Sequence, residues 1–305
     1  MSDRTSTISI VTRTPPIAVH RARRAKPVSV ASPRRGAHTL LSSVILAAVG
    51  ILFLIPLLWI AFASFDGDPT VSMRLPETWT LDNYAKVMTW QLTWQPLLNS
   101  IAISLGTAVI TVVVGVLAAY PLSRYRMRFQ RSFMYGILFG TGLPITAMMV
   151  PVYALFVSLK LLDSTWGVIV FMAATSLPMA IWMLKNFMDS VPISLEEAAW
   201  VDGASSMQAL RRIVLPLMRP GLAVVFIFVF TGAWGNFFVP FVLLFTAEKF
   251  PAAVSIFNFF GQYGSIAYGQ LAAYSVLYAT PMILLYVIVQ RLSGGAFALA
   301  GSVKG

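Results

Sequence analysis

Six stretches of the chain, at about 40–64, 97–121, 133–157, 166–184, 220–246 and 271–290, are each long and apolar enough to cross a bilayer. A hydrocarbon core needs about 20 apolar residues in helical form, and inside it every backbone N–H and C=O has to be bonded within its own helix. The fold class expected is therefore all-α: a polytopic membrane protein of six transmembrane helices. Composition agrees, because only 11% of the 305 residues are charged, against about 25% in a soluble domain.

Residues 1–39 hold eight basic residues against the single acid Asp3 and have no apolar periodicity. They read as a disordered cytoplasmic tail, with the six-helix domain over 40–305. The run Leu40 to Ile60 exceeds the apolar length of about 7–15 residues found in a signal peptide. Despite the cleavage-like Ala61-Phe62-Ala63 it reads as an uncleaved first span. The net charge of +11 reports orientation rather than nucleic-acid binding. Of the 22 Lys and Arg, 18 fall on the side of the N-terminal tail, and only Arg74, Lys86, Lys160 and Lys249 fall on the other. Basic loops stay inside, which places both termini in the cytoplasm of a bacterial inner membrane.

No Asp, Glu, Lys, Arg or His lies within the six stretches. Ionisable residues inside a membrane mark proton relays and charged pathways, so an ion-coupled carrier is not expected and any cargo is expected to be uncharged. The chain has no Cys, and its two histidines, His20 and His38, lie in the tail, which leaves no thiol, metal or imidazole chemistry. It also has no Gly-Lys dipeptide, which a phosphate-cradling loop requires. No cofactor is expected on this chain, and ATP would be bound by another. Among the polar and kinking residues in the spans, Asn236 beside Trp234 suits a neutral polyol, which an aromatic face and a two-way amide can hold together. Asn99 and Pro144 complete a candidate solute pathway, and the Gly136/Gly140 pair is read as a packing contact.

The segment 185–219 reads as two short helices. Ser194 with Glu197 has the capping-box spacing, and Glu196 and Glu197 sit where the helix dipole favours negative charge. Ala198, Ala199 and Val201 form a smooth face, and Gly203 is placed to end the helix in a left-handed turn. Ser205 with Gln208 repeats the box, after which Met207, Leu210, Ile213, Val214 and Leu217 recur at helical spacing. Such a pair either lies on the membrane surface or seats in a groove of a partner.

Glu197-Ala198-Ala199, three residues, Gly203, nine residues and Ile213-Val214-Leu215-Pro216 resemble the E-A-A signature of the permease subunits of bacterial ATP-binding-cassette importers. Asn99-Ser100, Ala118-Ala119-Tyr120 through Arg124, Pro144, Pro151, Asp202-Gly203-Ala204-Ser205 and Val303-Lys304-Gly305 are similar to the maltose-type sugar branch. The resemblance covers about 40–305. It implies half of a translocation pathway for a neutral carbohydrate, a second homologous permease, two ATPase subunits that carry ATP and magnesium, and an external solute-binding protein. It also implies that Glu196, Glu197, Ala198, Ala199, Asp202, Gly203, Ala204, Met207, Leu210, Ile213, Leu215 and Pro216 dock on an ATPase. The outer stretch 247–270, with Phe257, Asn258, Phe259 and Tyr263, would reach toward the binding protein. The chain departs from the branch at Trp234-Gly235-Asn236-Phe237, where an acid usually follows the Asn, and at Leu210, where an aromatic is frequent. The competing expectations are a glycerol-phosphate-type solute, or an intramembrane glycosyl or lipid transferase built on Asp66, Asp68, Glu77 and Asp82.

Overall fold

The computed structural model describes residues 33–70, 72, 74–142, 144–260 and 266–292. Most of the 1–39 tail, Tyr263 and the Val303 to Gly305 terminus lie outside the described residues. Helices α1 (Pro33–Ala63), α2 (Asp82–Val87), α3 (Gln95–Arg124), α4 (Gln130–Gly140), α5 (Ile145–Ser158) and α6 (Thr165–Asp189) are followed by the short α7 (Ser194–Val201), α8 (Ser206–Ala209) and α9 (Leu215–Leu217). Then come α10 (Arg219–Trp234), α11 (Phe238–Leu243), α12 (Ala252–Ser255) and α13 (Tyr268–Leu292). Extended pairing among the described residues is confined to the bridges Asp66 to Trp79 and Phe260 to Ile266. The chain falls into two units, 1–53 and 54–305, with the division inside α1.

Among the described residues four unbroken helices are long and apolar enough to cross a membrane, and two bent pairs bring the number of possible spans to six. The expected six spans are reached when each bent pair counts as one. The third apolar stretch is two helices, α4 and α5, bent by 91°, with Gly140, Gly142 and Pro144 at the break. Glycine weakens a helix and proline withholds an N–H. The second bent pair is Ser206–Leu217 with α10, bent by 80° at Met218. The fifth stretch ends as α10 at Trp234. Gly235 and Asn236 interrupt it, and the Asn236 side chain then accepts the Val239 N–H at 3.0 Å to start α11. Helices also run past the expected limits. α1 begins at Pro33, α3 reaches Arg124, and α6 reaches Asp189, where Lys185 pairs with Asp189 one turn on.

The core of 54–305 is α3 against α6 and α10. Helices surrounded by lipid gain little from apolar contact alone, so close approach at small residues matters. A Cβ on Gly115 would meet Leu184 at 2.8 Å, and one on Gly221 would meet the Phe187 ring at 2.5 Å. Ala108, Ala119, Ala180, Leu184 and Val225 are buried at this seam. One face of α3 also carries the buried hydroxyls Ser100, Ser104, Thr107 and Thr111, of which Thr111 donates to the Ala173 carbonyl across to α6. Gly136 and Gly140, read as a packing pair, have nothing within 4 Å of an added Cβ, so that role is not realised among the described residues.

Candidate functional site

At the end of the bundle where α3 and α6 terminate, the chain makes two turns of helix outside the spans. Ser194 is already inside α7, whose N-cap is Ile193 in a helical conformation with no side-chain cap. The expected Ser194/Glu197 box is therefore not formed. Both glutamates lie in the first turn, but only Glu197 is exposed. Glu196 is fully buried and its two carboxylate oxygens are taken up inside the chain. Oε1 accepts from Arg124 Nε at 2.5 Å and Oε2 from the Tyr120 hydroxyl at 2.8 Å. Arg124 also donates to the Val191 carbonyl at 3.2 Å, and Ser123 donates to Asp189 at 2.6 Å. The ends of α3 and α6 and the start of α7 thus form one hydrogen-bonded knot.

α7 ends as the sequence predicts. Gly203 sits at φ +85°, a region L side chains avoid, and the Ala204 N–H donates back to the Ala199 carbonyl at 2.9 Å. The Ser205/Gln208 capping box is complete, each side chain bonding the other's backbone N–H. Beyond it the chain passes through a wider turn, Leu210–Val214. This turn directs Leu210 and Val214 into the core with Leu184 and Met188. The surface left exposed consists of Glu197, Ala198, Val201, Asp202, Gly203, Met207 and Pro216, with Ala199, Ala204, Ile213 and Leu215 half-buried. Val201 is 87% exposed. Glu196 and Leu210, expected in a docking face, point inward and leave it, because one is neutralised by Arg124 and the other packs as core.

The residues expected in the solute pathway have other partners. Asn99 donates to the Glu248 and Phe250 carbonyls at 2.8 and 3.1 Å and fastens the segment after α11 to the start of α3. Trp234 is buried between Phe230 and Tyr278, with ring centroids 5.9 and 5.4 Å away, so its face is closed to a solute. Asn236 caps α11, and Pro144 is the N-cap of α5. The open space lies elsewhere. A cavity of about 750 Å³ opens among Thr141, Thr175, Ser176, Phe228, Thr231 and Gly232. It lies where the broken third stretch meets the middle of α6 and the last turns of α10. Thr175 and Ser176 each donate to the Met172 carbonyl, which leaves their oxygen lone pairs facing outward as acceptors. Single hydroxyls scattered over three segments give no periodic signal, so sequence reading passed over this group.

On the opposite side, Phe257 is exposed and packs on Phe237 and Phe241, and Asn258 is exposed beside it. Phe259, expected at that surface, is instead buried against Tyr274. A second knot holds this end together. Asp163 accepts from the Phe245 and Thr246 N–H groups at 3.1 Å, from the Thr246 hydroxyl at 2.5 Å and from Lys249 Nζ at 2.7 Å. Burial pushes its carboxyl upward, but the bonds from Lys249, Thr246 and the two amides outweigh it and hold the group well below the usual carboxylate range. A carboxyl lowered on folding stabilises the protein above its unfolded value of about 3.9 and loses that contribution as pH falls through the native value. Asp163→Asn is expected to lose about 1.5–3 kcal/mol at neutral pH. It should also unfold with a flatter dependence on acidification than the parent. Equal thermal midpoints for the two chains at neutral pH would rule out this role.

The family described as binding-protein-dependent transport system inner membrane component matches residues 111–295. The diacetylchitobiose uptake system permease protein NgcG of Streptomyces coelicolor is 30% identical over 268 residues, 87% of each chain. The trehalose transport system permease protein SugB of Mycobacterium tuberculosis is 34% identical over 256 residues, 83% of this chain and 93% of its own. Among solved structures, a bacterial ABC transporter involved in the import of the acidic polysaccharide alginate has a chain with TM-score 0.74 and 26% identity, covering 85% of this chain and 98% of that one. With the family match running from the middle of α3 through α13 and taking in the break before α5 and the turn at Gly203, the chain belongs to the binding-protein-dependent transport system inner membrane components: it is a membrane-spanning permease subunit of an ABC importer and not an enzyme.

Proposed function

We propose that this permease forms half of a pathway for a neutral oligosaccharide and takes its stroke from a cytoplasmic ATPase seated on α7. The reading rests on one observation above the rest: outside the spans, α7 and the turn that follows it leave Ala198, Val201 and Gly203 exposed, with Leu195 the one exposed leucine of the helix. A helix bound to lipid would bury a broader stripe of Trp, Phe and Leu. Relatives named for diacetylchitobiose, galactooligosaccharides and trehalose support a carbohydrate. So does a cavity lined by hydroxyls without an ionisable side chain. A second permease completes the pathway, a pair of ATPases holds the ATP and magnesium, and an external binding protein delivers solute near the exposed Phe257 and Asn258. Both termini then face the cytoplasm. Membership of a permease family leaves the transferase alternative without support, and Asp66 of its acidic group is occupied by Arg74.

The test is a Val201→Cys chain co-expressed with the ATPase, the second permease and the binding protein. A thiol cross-link to the ATPase and ATP-dependent uptake of labelled oligosaccharide into proteoliposomes are expected. Cross-links to lipid alone, or uptake that proceeds without the ATPase, would reject the reading.

A further inference from the structure

We infer that Arg124, Glu196 and Tyr120 are positioning residues of the transport stroke, a clamp that makes α7 and α3 move as one body. The inference rests on the reading that α7 docks on the ATPase. Glu196 is the only fully buried residue of α7. Although α7 also packs on the Leu210–Val214 turn with Trp200 half-buried, Glu196 is its one charged tie to α3, so a push on the exposed side of that helix reaches α3 directly through this side chain. Its carboxylate is met by groups 72 and 76 residues earlier, both on the last turn and a half of α3. The Arg124 side chain is 4% exposed and that of Glu196 0%. In this dry site Arg124 uses three nitrogens, on Glu196, Ser123 and the Val191 carbonyl. α3 is in turn the span most heavily packed in the core, against α6 and α10.

Stability alone does not account for the choice of residues. A buried ion pair gains little over well-packed apolar side chains of similar size, because desolvation offsets the attraction. What charged, multiply bonded groups provide is direction: the planar guanidinium fixes one relative orientation of two helices. Apolar packing would permit sliding. The clamp therefore suits an element that has to transmit a small displacement without slack.

The test uses the assembled transporter, with both permeases, both ATPases and binding protein, in proteoliposomes. Arg124→Met and Glu196→Leu singly are expected to cut solute moved per ATP hydrolysed at least tenfold while the ATPases still co-purify. Because this chain has no cysteine, a paired Arg124→Cys and Glu196→Cys variant, assembled with cysteine-free partner subunits, can be bridged selectively by a bifunctional methanethiosulfonate. The bridge is expected to restore most of the coupling, and reduction with dithiothreitol to remove it again. Reversibility separates transmission from folding, and the bridged pair decides the matter if the single variants fail to assemble. Single variants that keep the parental ratio within twofold, or a bridge that restores nothing, would overturn the clamp alone. A missing Val201→Cys cross-link in the otherwise native chain would overturn the docking reading, and the clamp with it.

Discussion

A Gly203→Val chain is expected to insert and to pair with the second permease, yet to lose nearly all solute uptake. The residue stands at φ +85° with nothing within 4 Å of an added Cβ, so the penalty is conformational and not steric. A left-handed backbone costs an L residue about 1–2 kcal/mol, and a β-branched one more. That is enough to re-form the turn that points α7 and the Ser205-capped helix at a partner. Uptake should fall by roughly a factor of ten for each 1.4 kcal/mol diverted into the wrong turn, while ATP hydrolysis by the ATPases continues. Gly203→Asn, which tolerates the same φ, should retain much more. Equal uptake in the Val chain and the parent would separate this turn from coupling.

The second large effect is expected at the cavity. Gly232 lines it and has nothing within 4 Å of an added Cβ, so a side chain at this position leaves the α10 backbone without a clash and Gly232→Trp directs an indole at the cavity. The indole would fill the space between the hydroxyls of Thr141, Thr175 and Ser176 and remove their access to solute. Uptake should drop by at least roughly tenfold, a loss of about 1.4 kcal/mol or more in the barrier to passage. ATPase docking and thermal stability should stay at parental values. Paired substitution of Thr175 and Ser176 by valine and alanine should give a smaller loss, confined to affinity. Unchanged uptake by the Trp chain would place the pathway elsewhere.

What could be read ahead of the structure was whatever local chemistry decides. Apolar length decided the spans, because backbone satisfaction in lipid leaves no alternative. Gly203 and the Ser205/Gln208 box were legible because a turn and a cap involve only near neighbours. Glu196 was misread because its partner lies on another helix, and no periodicity links it to Arg124. The Ser194/Glu197 spacing suggested a cap, but burying Glu196 against α3 set where α7 starts. Asn99, Trp234 and Asn236 were singled out as polar or aromatic residues in apolar stretches. They fasten a loop, stack in the core and cap a helix, since a carbonyl or amide left by a broken span needs a bond as urgently as a solute does. The breaks were not read: Pro144 and Gly235 lay in stretches taken as continuous, because a proline or glycine ends a helix only where tertiary packing does not let it continue, as it does at Pro151 and Pro178.

The cavity wall carries hydroxyls, methyls and rings but no ionisable group. Moving one elementary charge through a membrane costs or yields about 2.3 kcal/mol per 100 mV, and an uncharged sugar crossing an uncharged wall incurs none of it. On the proposed reading, this half of the pathway would add no voltage dependence to uptake. A depolarised or starving cell that still held ATP could go on feeding.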